Sequence, residues 1–487
     1  MNEEIRNLEP KVVWNKFADL NEVPRASKNE ERVIGFIKNF AQDLKLESQV
    51  DGVGNVIIKK PATPGMENRK GVVLQAHLDM VHQKNNDTDF DFDTRGIEMI
   101  IDGDWVKAKG TTLGADNGLG VATMMAILES NSIAHPAIEA LFTIDEETGM
   151  TGAKGLEPDV LKGEILLNLD TEEDDEIGIG CAGGIDVTVA GTYEEEEVSK
   201  GTKALKVIVN GLQGGHSGMD IIKGLGNSNK ILNRILFKAS EDLEMRIAQI
   251  KGGGLRNAIP RESDAIVIID EMQEKALRAL LEDEIDDIKT ELLMLEPNLK
   301  LTIRETEIPP YVMEQGDQDI LLKTIYAAHN GTYRMSPEIE GLVETSNNIA
   351  SVTVNEGKIS INCLTRSSLA SSKNDLATNL RSVFELGGYD VEFSGEYPGW
   401  TPDMDSAILK VLDKLYQDIN NEKANIAVCH AGLECGIIGC KYPNMDMISF
   451  GPTIRGAHSP DEKASIKSAQ KYWNFVLEIL KNIPQKN

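Results

Sequence analysis

The chain has 487 residues, 41% of them hydrophobic and 26% charged, a globular composition that excludes fibrous, low-complexity and disordered classes. That length exceeds what one hydrophobic core organises, so two domains are expected, one interrupted by the other. Lys and Arg number 50 against 79 Asp and Glu, a formal net charge of −29 that repels nucleic-acid phosphates and anionic membranes and favours small neutral or cationic partners.

The opening MNEEIRNLEP lacks a basic region followed by an apolar run, and no stretch reaches the roughly 20 apolar residues that span a bilayer, so a cytoplasmic location is expected. Cys181, Cys363, Cys429, Cys435 and Cys440 are sparse, odd in number and nowhere in CxxC spacing. Neither a disulfide framework nor a zinc ribbon follows from them, and they are expected to be reduced and mostly buried.

In chain order, the apolar periodicity predicts a helix over 31–44, a strand over 71–75, a helix over 118–130 and strands over 137–143 and 164–169. This alternation implies an α/β domain with a mostly parallel central sheet, in which ligands collect beyond the carboxyl ends of the strands. From about 187 to 400 the pattern changes. Strands are predicted at 203–209, 265–269, 351–355 and 358–363, and helices at 227–240, 274–293, 319–328 and 373–386. Their order suggests an α+β domain of βαβ type, duplicated internally by length and element order, although no sequence repeat accompanies it. A helix at 405–418, the CHAGLECG segment at 429–436, a strand at 446–450 and a helix at 467–480 restore the first pattern. The expected layout is therefore a first domain from 1–186 and 401–487 with the 187–400 domain inserted. The acidic runs at 172–176 and 191–201 are read as solvated loop or edge.

Five segments carry chemistry. LQAHLDM at 74–80 is an apolar strand that ends in His77 and Asp79, two residues apart and so on one side. A carboxylate beside a ligating imidazole fixes its orientation and raises its basicity. GTTLGADNGLGVA at 110–122 presents Asp116 from a glycine-rich loop ahead of a helix, where it could cap that helix or bridge two cations. LFTIDEETGM at 141–150 puts Asp145, Glu146 and Glu147 at a strand end, where like charges repel unless something positive sits among them. One glutamate would bind metal and its neighbour, with a raised pKa, would accept a proton from water. ILLNLDTEE at 165–173 ends another strand in Asp170, and GPTIRGAHSPDE at 451–462 delivers His458 from a loop. Two histidines and three carboxylates suit a pair of divalent first-row ions, zinc first, then manganese or cobalt. No GxSxG elbow points to a serine hydrolase.

The ordered set AHLDM, GADNGLG, DEETGM, NLDTE and GAHSPDE resembles the dinuclear zinc metallopeptidases of the M20 family, in particular their aminoacyl-histidine dipeptidase branch, over essentially the whole chain. The resemblance implies that His77 and Asp170 hold one zinc, Glu147 and His458 the other, and that Asp116 bridges them. It further implies that Asp79 orients His77 and that Glu146 is the general base. An aspartate at position 170 goes with dipeptidases and aminopeptidases in the family, a glutamate with carboxypeptidases and deacylases. The inserted domain resembles the family's lid, in which His216 of NGLQGGHSGMD stabilises the oxyanion while Asn257 of GGGLRNAIP and Arg366 of LTRSS grip the substrate's carboxylate end. His82, His135, His329 and His430 are read as structural, His430 lying near the cleft in related proteins. The implied activity is hydrolysis of dipeptides of Xaa-His type, β-Ala-His included. The alternatives are an N-acyl amino acid deacylase or an inactive binding homologue, and the latter would have lost a ligand or Glu146. The large lid leaves a homodimer and a self-sufficient chain both open.

Overall fold

The computed structural model describes residues 2–486 and divides into two compact units. The first runs to Gly180 and includes Trp400–Val428 and the chain from Leu433 onward; the second comprises Cys181–Gly399 with Cys429–Gly432.

The first unit is built on an eight-stranded sheet, with the strands in the spatial order Glu47–Val50, Val56–Lys60, Ile138–Thr143, Val72–His77, Ile165–Asn168, Asp446–Ser449, Glu176–Cys181 and Asn425–Cys429. The four central strands, from Ile138–Thr143 to Asp446–Ser449, are parallel, and antiparallel strands flank them. Every residue of Val72–His77, Ile138–Thr143 and Ile165–Asn168 is buried. Strands covered on both faces read as mostly apolar runs, here broken by Gln75, Glu139 and Asn168, and their sequences show no alternation. The helix Ala115–Glu129 packs on Val72–His77, and Ala407–Asn420 packs on Asp446–Ser449 and on the last helix, Ile466–Asn482.

The second unit is two copies of one pattern. Its first half has strands Thr202–Asn210, Arg246–Gly253, Ser263–Asp270 and Lys300–Glu305, with helices Ser228–Asp242 and Glu274–Glu291 after the first and third strands. The second half repeats strand, helix, strand, strand, helix, strand with Gly183–Thr192, Gln315–Ala327, Val343–Asn355, Lys358–Ser367, Ala370–Leu386 and Asp390–Tyr397. In each half the sheet order is fourth, first, third, second, and the two second strands pair across the middle, Ile250 opposite Val354. Neighbouring strands are antiparallel throughout. The βαβ units are therefore split ones, with another strand lying between the two that each helix connects. Leu205, Val207, Ile235, Leu236, Leu281, Ile361, Leu380 and Phe384 belong to one core beneath the helices, and each such side chain contributes about 1.5–3 kcal/mol by leaving water.

The cysteines carry no disulfide; three are buried, Cys429 is half-buried and Cys440 exposed. The acidic stretch Glu195–Glu197 is an exposed edge strand paired with Tyr311–Met313. The run at 172–176 departs from the expected solvated loop. Glu172, Glu173 and Asp174 are half-buried, because they follow Asp170 directly off a central strand, and Asp174 accepts from the ammonium of Lys471 at 2.7 Å.

Candidate active site

The central parallel strands of the first unit all end on one edge, and the side chains singled out by the sequence lie just beyond it. Val72–His77 delivers His77, Ile138–Thr143 leads into Glu146 and Glu147, Ile165–Asn168 leads to Asp170, and the loop after Asp446–Ser449 carries His458. Asp116 leaves regular geometry at the start of its helix, with φ −82° and ψ 113°. Gly120, one turn on, leaves room for the Asn117 side chain and the Leu169 carbonyl, because a Cβ there would sit 2.0 Å from Asn117 Oδ1 and 2.7 Å from Leu169 O.

Asp116 is the shared member. Its Oδ1 lies 3.1 Å from His77 Nε2 and its Oδ2 lies 3.2 Å from His458 Nε2. His77 Nε2 is also 3.5 Å from Asp170 Oδ1, and His458 Nε2 is 2.9 Å from Glu147 Oε2. Two sets of donors therefore converge, His77, Asp116 and Asp170 in one and Asp116, Glu147 and His458 in the other, each with ligand atoms within 4.8 Å of one another. Glu147 Oε1 is buried without a hydrogen-bond partner, which leaves a coordinating atom free. Imidazole nitrogens with carboxylate oxygens suit zinc and its first-row neighbours, so the residues present fit a pair of divalent ions.

Asp79 is fully buried and holds the arrangement from behind. It accepts from the hydroxyl of Ser27 at 2.8 Å and from the backbone N–H groups of Glu146 and Glu147 at 3.1 and 3.3 Å, and its Oδ1 is 3.4 Å from His77 Nδ1. Burial opposes its ionisation, but these bonds and the charge of His77 hold its pKa down at about 2. Asp79 thus sets the His77 ring, whose Nδ1 lies 3.1 Å from its backbone carbonyl, while its carboxylate holds the turn that presents both glutamates.

The electrostatics call for positive charge. Hydrogen bonds to Asp116 and Glu147 carry the pKa of His458 up to about 11. Burial, together with the charges of Asp170, Glu434 and Glu147, raises Glu146 well above the carboxylate range against the pull of His77. Burial and Asp116 push Glu172 to about 7. Asp145, the third acid of its run, turns away to accept from the hydroxyls of Thr148 and Thr151.

In the second unit, His216 pairs with Ala258 across a short two-stranded sheet, and the backbone N–H of Ser217 donates to Asn257 O at 2.8 Å. His216 Nδ1 accepts from the N–H groups of Gly218 and Met219 at 3.2 and 3.1 Å, so the ring proton resides on Nε2. Burial and the charge of Arg366 lower the pKa of His216, which keeps it a neutral donor. Arg366 is 4% exposed and donates to Tyr397 Oη at 2.6 Å, and its Nε has no partner. Asn257 is exposed. His430 is buried, with Nε2 2.8 Å from Ser346 Oγ, and burial and Arg366 lower its pKa to about 3.

Several groups around the first unit's site escaped the sequence reading. Buried Arg25 donates to Leu78 O and Asp79 O and to Gly114 O. Asn117 donates to Asp170 Oδ1. Glu434, fully buried, accepts from Gln75 and Thr143 at 2.6 and 2.7 Å. Glu462 accepts from the backbone at 113–116. The visible signals were slight: the PDE after His458 and the single acid of GLECG.

Comparison with known proteins agrees in kind. The model of peptidase family M20/M25/M40 matches residues 73–482. The cytosol non-specific dipeptidase of Escherichia coli (strain K12) is 44% identical over 483 residues, 99% of this chain and all of that protein. The crystal structure of aminoacylhistidine dipeptidase from Vibrio alginolyticus superposes with a TM-score of 0.92 at 46% identity, covering 100% of this chain and 99% of that one. The aminopeptidase PepT of Bacillus cereus, at 15% identity and a TM-score of 0.57 over 98% of this chain and 99% of that one, shares the fold. The chain therefore belongs to peptidase family M20/M25/M40.

Proposed function

We propose that this protein is a two-cation dipeptidase that hydrolyses the single peptide bond of a dipeptide, substrates of Xaa-His type such as β-Ala-His among them. The observation that carries this reading is the division of Asp116, one oxygen facing His77 and the other facing His458. His77 and Asp170 would hold one ion, Glu147 and His458 the other, with Asp116 between them and zinc the first choice. Bound there, the ions supply an acidified water and polarisation of the scissile carbonyl. Glu146, whose pKa burial and the neighbouring acids raise, would take a proton from the attacking water and return it to the leaving amine. Asp79 keeps the His77 ring and the Glu146 backbone in place while this happens. His216 offers a neutral Nε2–H to the oxyanion, a kind of contact worth roughly 3–4 kcal/mol of barrier. Arg366 and Asn257 would bind the C-terminal carboxylate, for which a guanidinium has the matching fork.

Two relatives over 40% identical across nearly the whole chain carry dipeptidase names, one of them aminoacylhistidine dipeptidase, which favours dipeptides over N-acyl amino acids. Among the described residues no helix is long and apolar enough to cross a membrane, and the cytosol dipeptidase name of the Escherichia coli relative supports a cytoplasmic location. The test is hydrolysis of β-alanyl-histidine, a panel of α-dipeptides and N-acetyl amino acids by chelated protein restored with zinc, beside Glu146→Ala. Dipeptide turnover that needs metal and is lost in the variant supports the reading. Turnover of N-acetyl amino acids alone moves the protein to the deacylases, and no turnover of any amide despite bound metal leaves a binding protein.

A further inference from the structure

The turn that carries Asp116 cannot satisfy its own backbone. At the start of a helix the first N–H groups need acceptors, which a side chain at the cap normally supplies. Here both oxygens of Asp116 face imidazoles, and Asn117 turns its side chain to donate from Nδ2 to Asp170. The acceptor comes instead from 346 positions away. Glu462 Oε2 accepts from Leu113 and Gly114 N–H at 2.7 and 2.9 Å, and its Oε1 accepts from Ala115 and Asp116 N–H at 2.7 and 3.3 Å. Gly114, at φ +69°, gives the backbone the left-handed step that aims four successive N–H groups at one carboxylate. Glu462 is 2% exposed and lies four residues after His458 in the same loop. On the other side of the turn, Arg25 donates to Gly114 O and to Leu78 O and Asp79 O beyond His77.

The two halves of the site are therefore held differently. His77 and Asp170 follow adjacent parallel strands whose register, Gln75 opposite Asn168, is fixed by the sheet. Asp116, in the irregular first turn of its helix, and His458, on a loop, are joined by this side chain. We propose that Glu462 is a positioning residue that sets Asp116 against His458, so that the ion shared by Asp116, Glu147 and His458 depends on it far more than the ion between His77 and Asp170.

This rests on the two-cation reading above, and a metal titration separates the two. Full-length protein freed of metal is titrated with cobalt(II), followed by visible absorption and calorimetry, for wild type, His458→Ala, Glu462→Gln and Glu462→Asp. His458→Ala identifies the step that belongs to its half. Glu462→Gln keeps the size of the side chain but turns an NH₂ toward N–H groups. It should weaken that same step about 10–100-fold and leave the other within about threefold, the range typical of residues that orient metal ligands. Glu462→Asp, which reaches fewer of the four amides, should fall between, so the proposal stays testable if the glutamine variant folds poorly. Wild-type binding by both variants, or equal weakening of both steps, overturns the proposal. A wild-type chain that takes up no cobalt removes the two-cation reading, and this inference with it.

Discussion

Replacement of Glu434 by glutamine should change how stability responds to pH. Its carboxyl is completely enclosed: Oε2 accepts from Gln75 and Thr143 and Oε1 has no partner. Burial raises its pKa from the ordinary 4.5 to about 7, outweighing the opposing charge of His77 and the two hydrogen bonds. An acid with a raised folded pKa holds its proton longer in the native state than in the unfolded chain. Stability is therefore greatest below the unfolded value and falls as pH rises through the interval up to the folded one. The full interval is worth about 3 kcal/mol, most of it appearing between about pH 5 and 7. Glutamine can place its carbonyl on Gln75 and Thr143, but buries an amide N–H that has no acceptor, so the slope against pH is diagnostic and the absolute stability is not. The assay is urea unfolding of metal-free wild type and Glu434→Gln at a series of pH values from 5 to 8. The wild-type curve should fall relative to the variant by about 2–3 kcal/mol across that range. Parallel curves would refute the claim that this carboxyl is buried and neutral at low pH.

Asp79→Asn should lower kcat by about 10–100-fold with zinc still bound, because the amide's NH₂ would confront the N–H groups of Glu146 and Glu147; steady-state kinetics beside metal analysis check this. Arg366→Lys should raise KM for free dipeptides and leave KM for their C-terminal amides nearly unchanged, since a lysine loses the two-pronged grip. Phe142→Ala, in the middle of a fully buried central strand, should cost about 3–5 kcal/mol in denaturant unfolding, as expected for an emptied aromatic site.

What the sequence reveals divides along physical lines. His77 and Asp170 stand out because mostly apolar runs, broken only by Gln75 and Asn168, end at them, and a polar residue at the end of a buried parallel strand must face the loops. Asp116 and His458 stand out less, since each sits in a loop that many folds could supply. Glu462, Glu434 and Arg25 stayed hidden because their partners are main-chain groups or buried amides far away in the sequence, and a lone acid or arginine has no local periodicity. Glu172 was misread for a related reason: the charge run looks like a solvated surface, but the strand before it carries the run toward the site. The inserted unit's duplication shows in the order of its elements and not in its residues. Only the matched strand orders, with second strands paired at Ile250 and Val354, make it evident.

The most direct test of the central claim is to measure bound zinc per chain alongside dipeptide hydrolysis as metal-free protein is restored stepwise, with Asp116→Ala in parallel. The account expects activity to reach its maximum as two ions bind, and Asp116→Ala to lose both full occupancy and turnover. Full activity without bound metal, or an Asp116→Ala variant that binds two ions and turns over normally, would contradict it.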